Sequence, residues 1–298
     1  MVSRCTRDPH LFRPNGLVAH LRSHQLCGSV CTRFLTMMRS GRALLLLSGV
    51  VHGFSGSQTA PRRGAPRHSE PEEGFSRRTL IRTGSAAAYG TLLVGIATAE
   101  SSPLYQGAVR AAINGAVPGP GLNALEIGIG VAPNLDRYPR GTTLVGLDAK
   151  LQDDDSLKFD EMRARAKGVR LIWQEGDAAK MPFKDAVFDS VVSIKSLCSV
   201  EDPEAVLREV SRVLKPGGKF GFVEHVAADP GSPLELSQLA IDPVQQVVAG
   251  NCHLHRDTDA LIARCVRQGL FDRVESSDRY IVPRMWPIAQ QASGLVVR

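Results

Sequence analysis

The chain has 298 residues, enough for a sizeable core, and carries a net charge of +6. That charge is uneven: residues 1–100 hold thirteen Arg, no Lys and five acids, a surplus of eight positive charges, which leaves −2 for residues 101–298. The basic balance therefore belongs to the first hundred residues and excludes a nucleic-acid-binding reading of the rest. Three Cys by position 31 and three scattered later ones exclude a disulfide scaffold.

In chain order, residues 1–100 are expected to be a targeting leader. Residues 1–69 are Arg-rich and hold a single acid, Asp8, as organelle transit segments do; a basic tail is the other reading. Met37–Arg42 leads into the apolar run Ala43–Val51, a charge-then-apolar layout too short to span a bilayer. A polar linker, Phe54–Phe75, follows. Then Arg77 and Arg78 precede the weakly apolar Thr83–Ala99, which ends in the small residues Ala97, Thr98 and Ala99. Two readings stand for this last piece: a twin-arginine signal cleaved near Glu100, or an uncleaved anchor. A signal, a transit-like linker and a twin-arginine signal in series favour a plastid or thylakoid destination. The anchor reading would place the domain on a membrane of the endoplasmic reticulum or mitochondrion.

Residues 101–298 form one domain with alternating elements. Leu125–Ile127, Thr143–Leu147, Val169–Trp173, Ser190–Ile194 and Phe220–Val223 are short apolar runs suited to buried parallel strands. Helix patterns lie between them, the clearest at Pro203–Leu214, where Ala205, Val206, Val210, Val213 and Leu214 make one stripe. Lys215, Pro216, Gly217 and Gly218 stop that helix. Asp257–Gln268 reads as a helix, and Phe271–Val282 and Ala289–Val297 as two late strands forming an antiparallel hairpin at the sheet edge. The expected fold is α/β: a Rossmann-like, doubly wound seven-stranded sheet, mostly parallel with an antiparallel last strand.

The chemistry concentrates at strand ends. The first run carries Glu126 and turns through Gly128 and Gly130; the second ends in Asp148; after the third comes Asp177. A dinucleotide site wants a third glycine in G-x-G-x-x-G, but position 133 is Pro, and no basic or hydroxyl residue sits at the turn to hold a phosphate. A carboxylate beside a pyrophosphate is repelled, by about 1 kcal/mol at 4 Å even in water. Beside a cationic group it is attracted. The pattern therefore points away from NAD and toward a cationic, phosphate-free nucleoside, with Asp148 on the ribose hydroxyls and Asp177 on an adenine amino group. Met181, Pro182 and Phe183 are expected to offer apolar surface to the ring.

These segments resemble class I S-adenosylmethionine-dependent methyltransferases. The matching pieces are Leu125–Gly130, Gly146–Asp148, Glu175–Phe183, Phe188–Val192 and Leu207–Gly218. Leu197–Val200, Glu224–Val226, Ile241–Pro243 and Cys252–Arg256 are similar to the methyltransferase-like family that includes membrane-associated thiol S-methyltransferases. The resemblance implies S-adenosylmethionine as cofactor. It places Glu126, Gly128 and Gly130 on the methionine moiety, Asp148 on the ribose and Asp177 with Ala178 on the adenine, and counts Ile129, Asn134 and Ile194 among the cofactor-binding residues. The chain departs from the family at Ala132, where a third glycine is usual, and at Ile129, where a small residue is usual.

Methyl transfer from a sulfonium is a displacement on an activated carbon, so orientation supplies most of the catalysis. A thiol, with a pKa of about 8.5, needs little help, whereas a hydroxyl or carbon acid needs a base. His225, at the end of the fifth strand, is the first candidate base and Asp242 the second. Glu224 should point to the opposite face. Cys198 is expected to line the acceptor side. The tract Cys252, His253, Leu254, His255 lacks the second ligand pair of a structural zinc, so no metal is expected from it. The expected function is methyl transfer to a small lipophilic acceptor, a thiol before a quinone or phenol, by a monomer. The alternative is a non-catalytic binding protein that keeps the fold, for which Ile129 and Ala132 are the support.

Overall fold

The computed structural model describes residues 99–298, and the leader readings for positions 1–98 lie outside them. Among the described residues no helix is long and apolar enough to cross a membrane.

The first five strands are seeded by the apolar runs noted above. The strands are β1 (Asn123–Ile127), β2 (Thr143–Asp148), β3 (Arg170–Glu175), β4 (Phe188–Ile194), β5 (Leu214–His225), β6 (Arg273–Ile281) and β7 (Gln290–Val297). They form one seven-stranded sheet in the order β3-β2-β1-β4-β5-β7-β6. The first five strands pair in parallel, and β7 runs antiparallel to both β5 and β6. The reversal beside β1, between β2 and β4, opens a crevice at the carboxyl edge where such sheets bind ligands.

The helices are α1 (Pro103–Ala116), α2 (Asp154–Lys167), α3 (Pro203–Val213), α4 (Pro233–Val248) and α5 (Thr258–Arg267). Three start alike, with a side-chain cap followed by proline: Ser102 before Pro103, Asp202 before Pro203 and Ser232 before Pro233. Helix α2 is capped by Asp153 and ends on Gly168 at φ 72°. One core, around Leu125, Ile127, Phe188, Phe220 and Phe222, packs under α3 and α5; the other, around Ala124, Leu144, Val192 and Val223, packs under α1.

The structure revises two expectations. The strand read at Val169–Trp173 is an edge strand, half-buried along most of its length rather than fully covered. Leu214 is not the last helical residue but the first of β5, paired with Phe188, because Pro216 forbids continuation of the helix. The late hairpin is present, with β7 lying inside β6.

Candidate functional site

The turn after β1 is built by three clamps. The Gly128 N–H donates to the Leu147 carbonyl at 2.7 Å, and the Ser196 hydroxyl donates to the Ile127 carbonyl at 2.9 Å. The Gly130 N–H donates to Asp148 Oδ2 at 3.0 Å. Gly128 sits at φ 66°, and a Cβ there would lie 2.2 Å from Ser196 Oγ. Glycine is therefore required both by conformation and by space.

Asp148 ends β2 half-buried, its other oxygen accepting from the Lys150 N–H at 3.2 Å. Burial raises its carboxyl above the usual range against these backbone bonds, and Glu175 on the neighbouring strand adds to the rise. Asp177 caps the short helical turn Ala178–Lys180, with Oδ1 accepting from the Ala179 N–H at 2.8 Å, and remains exposed at the edge beside Ala178. Ile194 ends β4, half-buried, at the same edge. Gly128, Gly130, Asp148, Asp177, Ala178 and Ile194 thus lie at or just after the carboxyl ends of the parallel strands β1 to β4.

Glu126 differs from expectation. It is buried, with Oε1 accepting from Asn134 Nδ2 at 2.8 Å and Oε2 from the Tyr138 hydroxyl at 2.9 Å. Burial pushes its pKa up to about 7 despite those bonds. Glu126 and Asn134 therefore fix the loop beneath the turn. Ile129 is also buried: its side chain fills the space over Gly146, where a Cβ would lie 2.5 Å from Ile129 Cδ1. Only its backbone remains at the turn. Ala132 adopts φ 46°, the left-handed conformation that a glycine would take, so the loop keeps the glycine path. The fold accommodates both Ile129 and Ala132. Met181 and Phe183 do not offer ring surface: both are buried in the core, with Phe183 packed edge-on to Phe188 at 5.0 Å.

At the ends of β4 and β5 a second group of side chains assembles. Glu224 is fully buried and accepts from the Ser193 hydroxyl at 2.7 Å and from the backbone N–H groups of Ser196 and Leu197 at 3.1 Å and Cys198 at 3.4 Å. Burial raises it to about 7, helped by the Cys198 charge and opposed by those donors. Sequence reading put Glu224 on the opposite face and missed that it grips the turn carrying Cys198. His225 Nε2 lies 3.1 Å from Cys252 Sγ, and the two sulfurs of Cys198 and Cys252 are 3.9 Å apart. The Cys252 hydrogen bond, and then His225, hold the Cys198 thiol well below the usual thiol range against burial. Burial lowers the His225 pKa, but the Cys198 thiolate more than offsets it and the net shift is upward.

His225 is therefore engaged with two sulfurs rather than open to solvent. Asp242, on α4, is not beside them as a base: its oxygens take the Leu254 N–H and, at 2.6 Å, Gln246 Nε2. It fastens the loop that brings in Cys252. His253 donates its N–H to the Cys198 carbonyl at 2.9 Å, and the His255 side chain turns outward to Glu235. Arg256 closes this wall with Nη1 donating to the carbonyls of Leu197 at 2.8 Å and Val200 at 2.7 Å.

Residues 125–222 match the family described as "Methyltransferase domain". Two curated relatives are thiol S-methyltransferase TMT1B of Rattus norvegicus, 36% identical over 135 residues, and thiol S-methyltransferase TMT1A of Homo sapiens, 33% identical over 138. The alignments cover 45% and 46% of this chain and 55% and 56% of those proteins, so the chain spans about half the length of the curated relatives it matches. The crystal structure of the N-methyltransferase NodS from Bradyrhizobium japonicum, in complex with S-adenosyl-L-homocysteine, is similar at a TM-score of 0.49 and 13% identity, covering 70% of this chain and 97% of that one.

Proposed function

From the premise that residues 125–222 are a methyltransferase domain, we propose that the chain transfers the methyl group of S-adenosylmethionine to the sulfur of a small thiol. The observation that carries the reading is the joining of two sites at one sheet edge. Ser196, which clamps the Gly128 turn, is two residues from Cys198.

The donor set fits the cofactor: the glycine turn carries no basic side chain, while Asp148 and Asp177 crown successive strands. Asp148, held toward the turn by Gly130, would take the ribose hydroxyls. Asp177 and the Ala178 backbone would take the adenine edge, and Gly128 and Gly130 let backbone approach without a side chain. The bound cofactor supplies a sulfonium-activated methyl carbon. The chain's task is then to place a sulfur in line with it, which orientation alone speeds greatly.

The thiol as acceptor rests on the two thiol S-methyltransferase relatives. A lipophilic acceptor is favoured by α4, whose Leu236, Leu239, Val244 and Val247 are at least half exposed on the helix before Cys252. The same face supports membrane association of a monomer, and the Arg-rich residues 1–98 support plastid delivery. N-terminal sequencing of the native protein should find a start near Glu100; a start near Phe54 would refute cleavage there and favour an anchor.

Calorimetry with S-adenosylmethionine should give micromolar binding, and labelled methyl donor should mark alkyl thiols in preference to phenols. Binding weaker than millimolar would sink the reading. Binding with no turnover on either panel would favour a non-catalytic role.

A further inference from the structure

We infer that Cys198 Sγ, His225 Nε2 and Cys252 Sγ form a zinc site whose fourth coordination position receives the acceptor thiol. The ligation of the acceptor rests on the methyl transfer proposed above; the metal site itself does not.

The three ligand atoms all lie within 4.8 Å of one another, and the residues are 2%, 1% and 6% exposed. A tetrahedral zinc with Zn–S of about 2.3 Å and Zn–N of about 2.0 Å sets two sulfurs about 3.8 Å apart and nitrogen about 3.5 Å from sulfur. The observed separations are 3.9 Å between sulfurs and 3.1 Å from Nε2 to Cys252 Sγ. Those two separations lie within about half an ångström of the tetrahedral values, and the third pair is within 4.8 Å. Two sulfurs and an imidazole are the donors a thiophilic cation selects over magnesium or calcium.

The ligands are preset by the surrounding fold. Glu224 fixes the Cys198 backbone, and β5 pairing with β7 fixes His225 opposite Gln291. The Cys252 loop is tied to the Cys198 turn by the His253 N–H to the Cys198 carbonyl and by Asn251 Nδ2 to the Ser199 carbonyl at 3.1 Å. The sequence tract at 252–255 gave no such site because it supplies one sulfur only; the other ligands come from the ends of β4 and β5.

Two Cys and one His leave one position open, the ligand set of a catalytic rather than a structural zinc. In the transfer, the acceptor thiol binds as a thiolate and its proton leaves to solvent. Its sulfur lone pair forms the new S–CH3 bond. The sulfonium–methyl bond breaks with its electron pair returning to the donor sulfur, and nothing is oxidised or reduced. The product thioether is neutral, a poorer zinc ligand than a thiolate, and departs.

The test uses the full chain purified without chelator. Elemental analysis should find about one zinc per chain, falling about tenfold or more in Cys252→Ser and in His225→Asn but not in Cys265→Ser. Cobalt(II) exchanged into the wild-type protein should show sulfur-to-cobalt charge transfer and tetrahedral visible bands, which shift when an alkyl thiol is added. Metal-free protein with titratable thiols at 198 and 252, or a disulfide between them, would overturn the site. A cobalt spectrum indifferent to thiol would overturn the acceptor position. Thiol methylation by demetallated protein would overturn the zinc while leaving methyl transfer standing. A metal-loaded protein that methylates no thiol would sink the proposed function instead.

Discussion

Ala132 holds φ at 46° with its methyl fully buried. A left-handed residue costs about 1–2 kcal/mol. Glycine would remove that strain, but it would lose a buried methyl and gain unfolded-state entropy, each worth about 0.5–1 kcal/mol. The terms nearly cancel, so Ala132→Gly should melt within a few degrees of the wild type and bind S-adenosylmethionine equally well by calorimetry. Ala132→Val adds β-branching at the same φ and two methyls to a filled site, and should cost about 2–3 kcal/mol. A tolerated valine would show that the loop does not need the left-handed turn. At this scale, the positions of Gly128, Gly130, Asp148 and Asp177 at or just after the ends of β1, β2 and β3 were legible from spacing, because strand ends converge on one edge in any such sheet. The surroundings of Glu126 were not legible: its partners Asn134 and Tyr138 are brought to it only by the folded loop. The thiol–imidazole group was partly legible, with Cys198 and His225 both at strand ends. Its third member, Cys252, is delivered by a loop whose path no spacing encodes.

Among elements, α3 carries an arrangement that reaches the crevice indirectly. Arg212 pairs with Glu209 and Asp185 and donates to the carbonyls of Phe183 at 2.9 Å and Met181 at 3.2 Å, while Glu209 accepts from the Met181 N–H at 2.7 Å. The segment following Asp177 is thereby fastened to the helix. Arg212→Met keeps the stem and removes every donor that the guanidinium supplies, leaving the Met181 N–H to Glu209 in place. It should cost about 2 kcal/mol of stability and weaken S-adenosylmethionine binding several-fold, read by calorimetry well below the melting temperature. Unchanged affinity would mean that the segment holds its shape without the latch. The stripe of α3 was plain in the sequence, but this polar side was not. Helix α4 was missed altogether because its pattern is inverted: Gln238 and Gln245 are buried while leucines and valines face out. Gln238 earns its place by bonding the Ala228 N–H and the carbonyls of Val226 and Pro287, partners far away in sequence.

At the scale of the whole molecule, burial pushes the carboxyls of Glu126 and Glu224 up to about 7, where an ordinary glutamate sits at about 4.5. A raised carboxyl holds its proton longer in the folded state than in the unfolded chain. Its contribution is fully present below pH 4.5 and is lost as pH rises through about 7, with a slope of up to about 1.4 kcal/mol per pH unit for each group. Urea unfolding should therefore show stability declining between pH 5 and pH 8. Glu126→Gln should flatten part of that decline; identical slopes in the two proteins would contradict the assignment. The fold class, the parallel run of the early strands and the late antiparallel pair were legible, since they follow from alternation of elements and from β6 and β7 being close in the chain; the strand order was not.

That last pair has a further consequence. Strand β6 precedes β7 in the chain, yet it touches the sheet only through β7, and nearly all of its residues stay exposed. During synthesis β6 emerges with nothing to pair with, while β5 already presents a vacant flank. Both edges must stay unpaired until β7 slides between them, so the interval before that insertion is when a nascent copy is most open to mispairing with a neighbour or to capture by a chaperone.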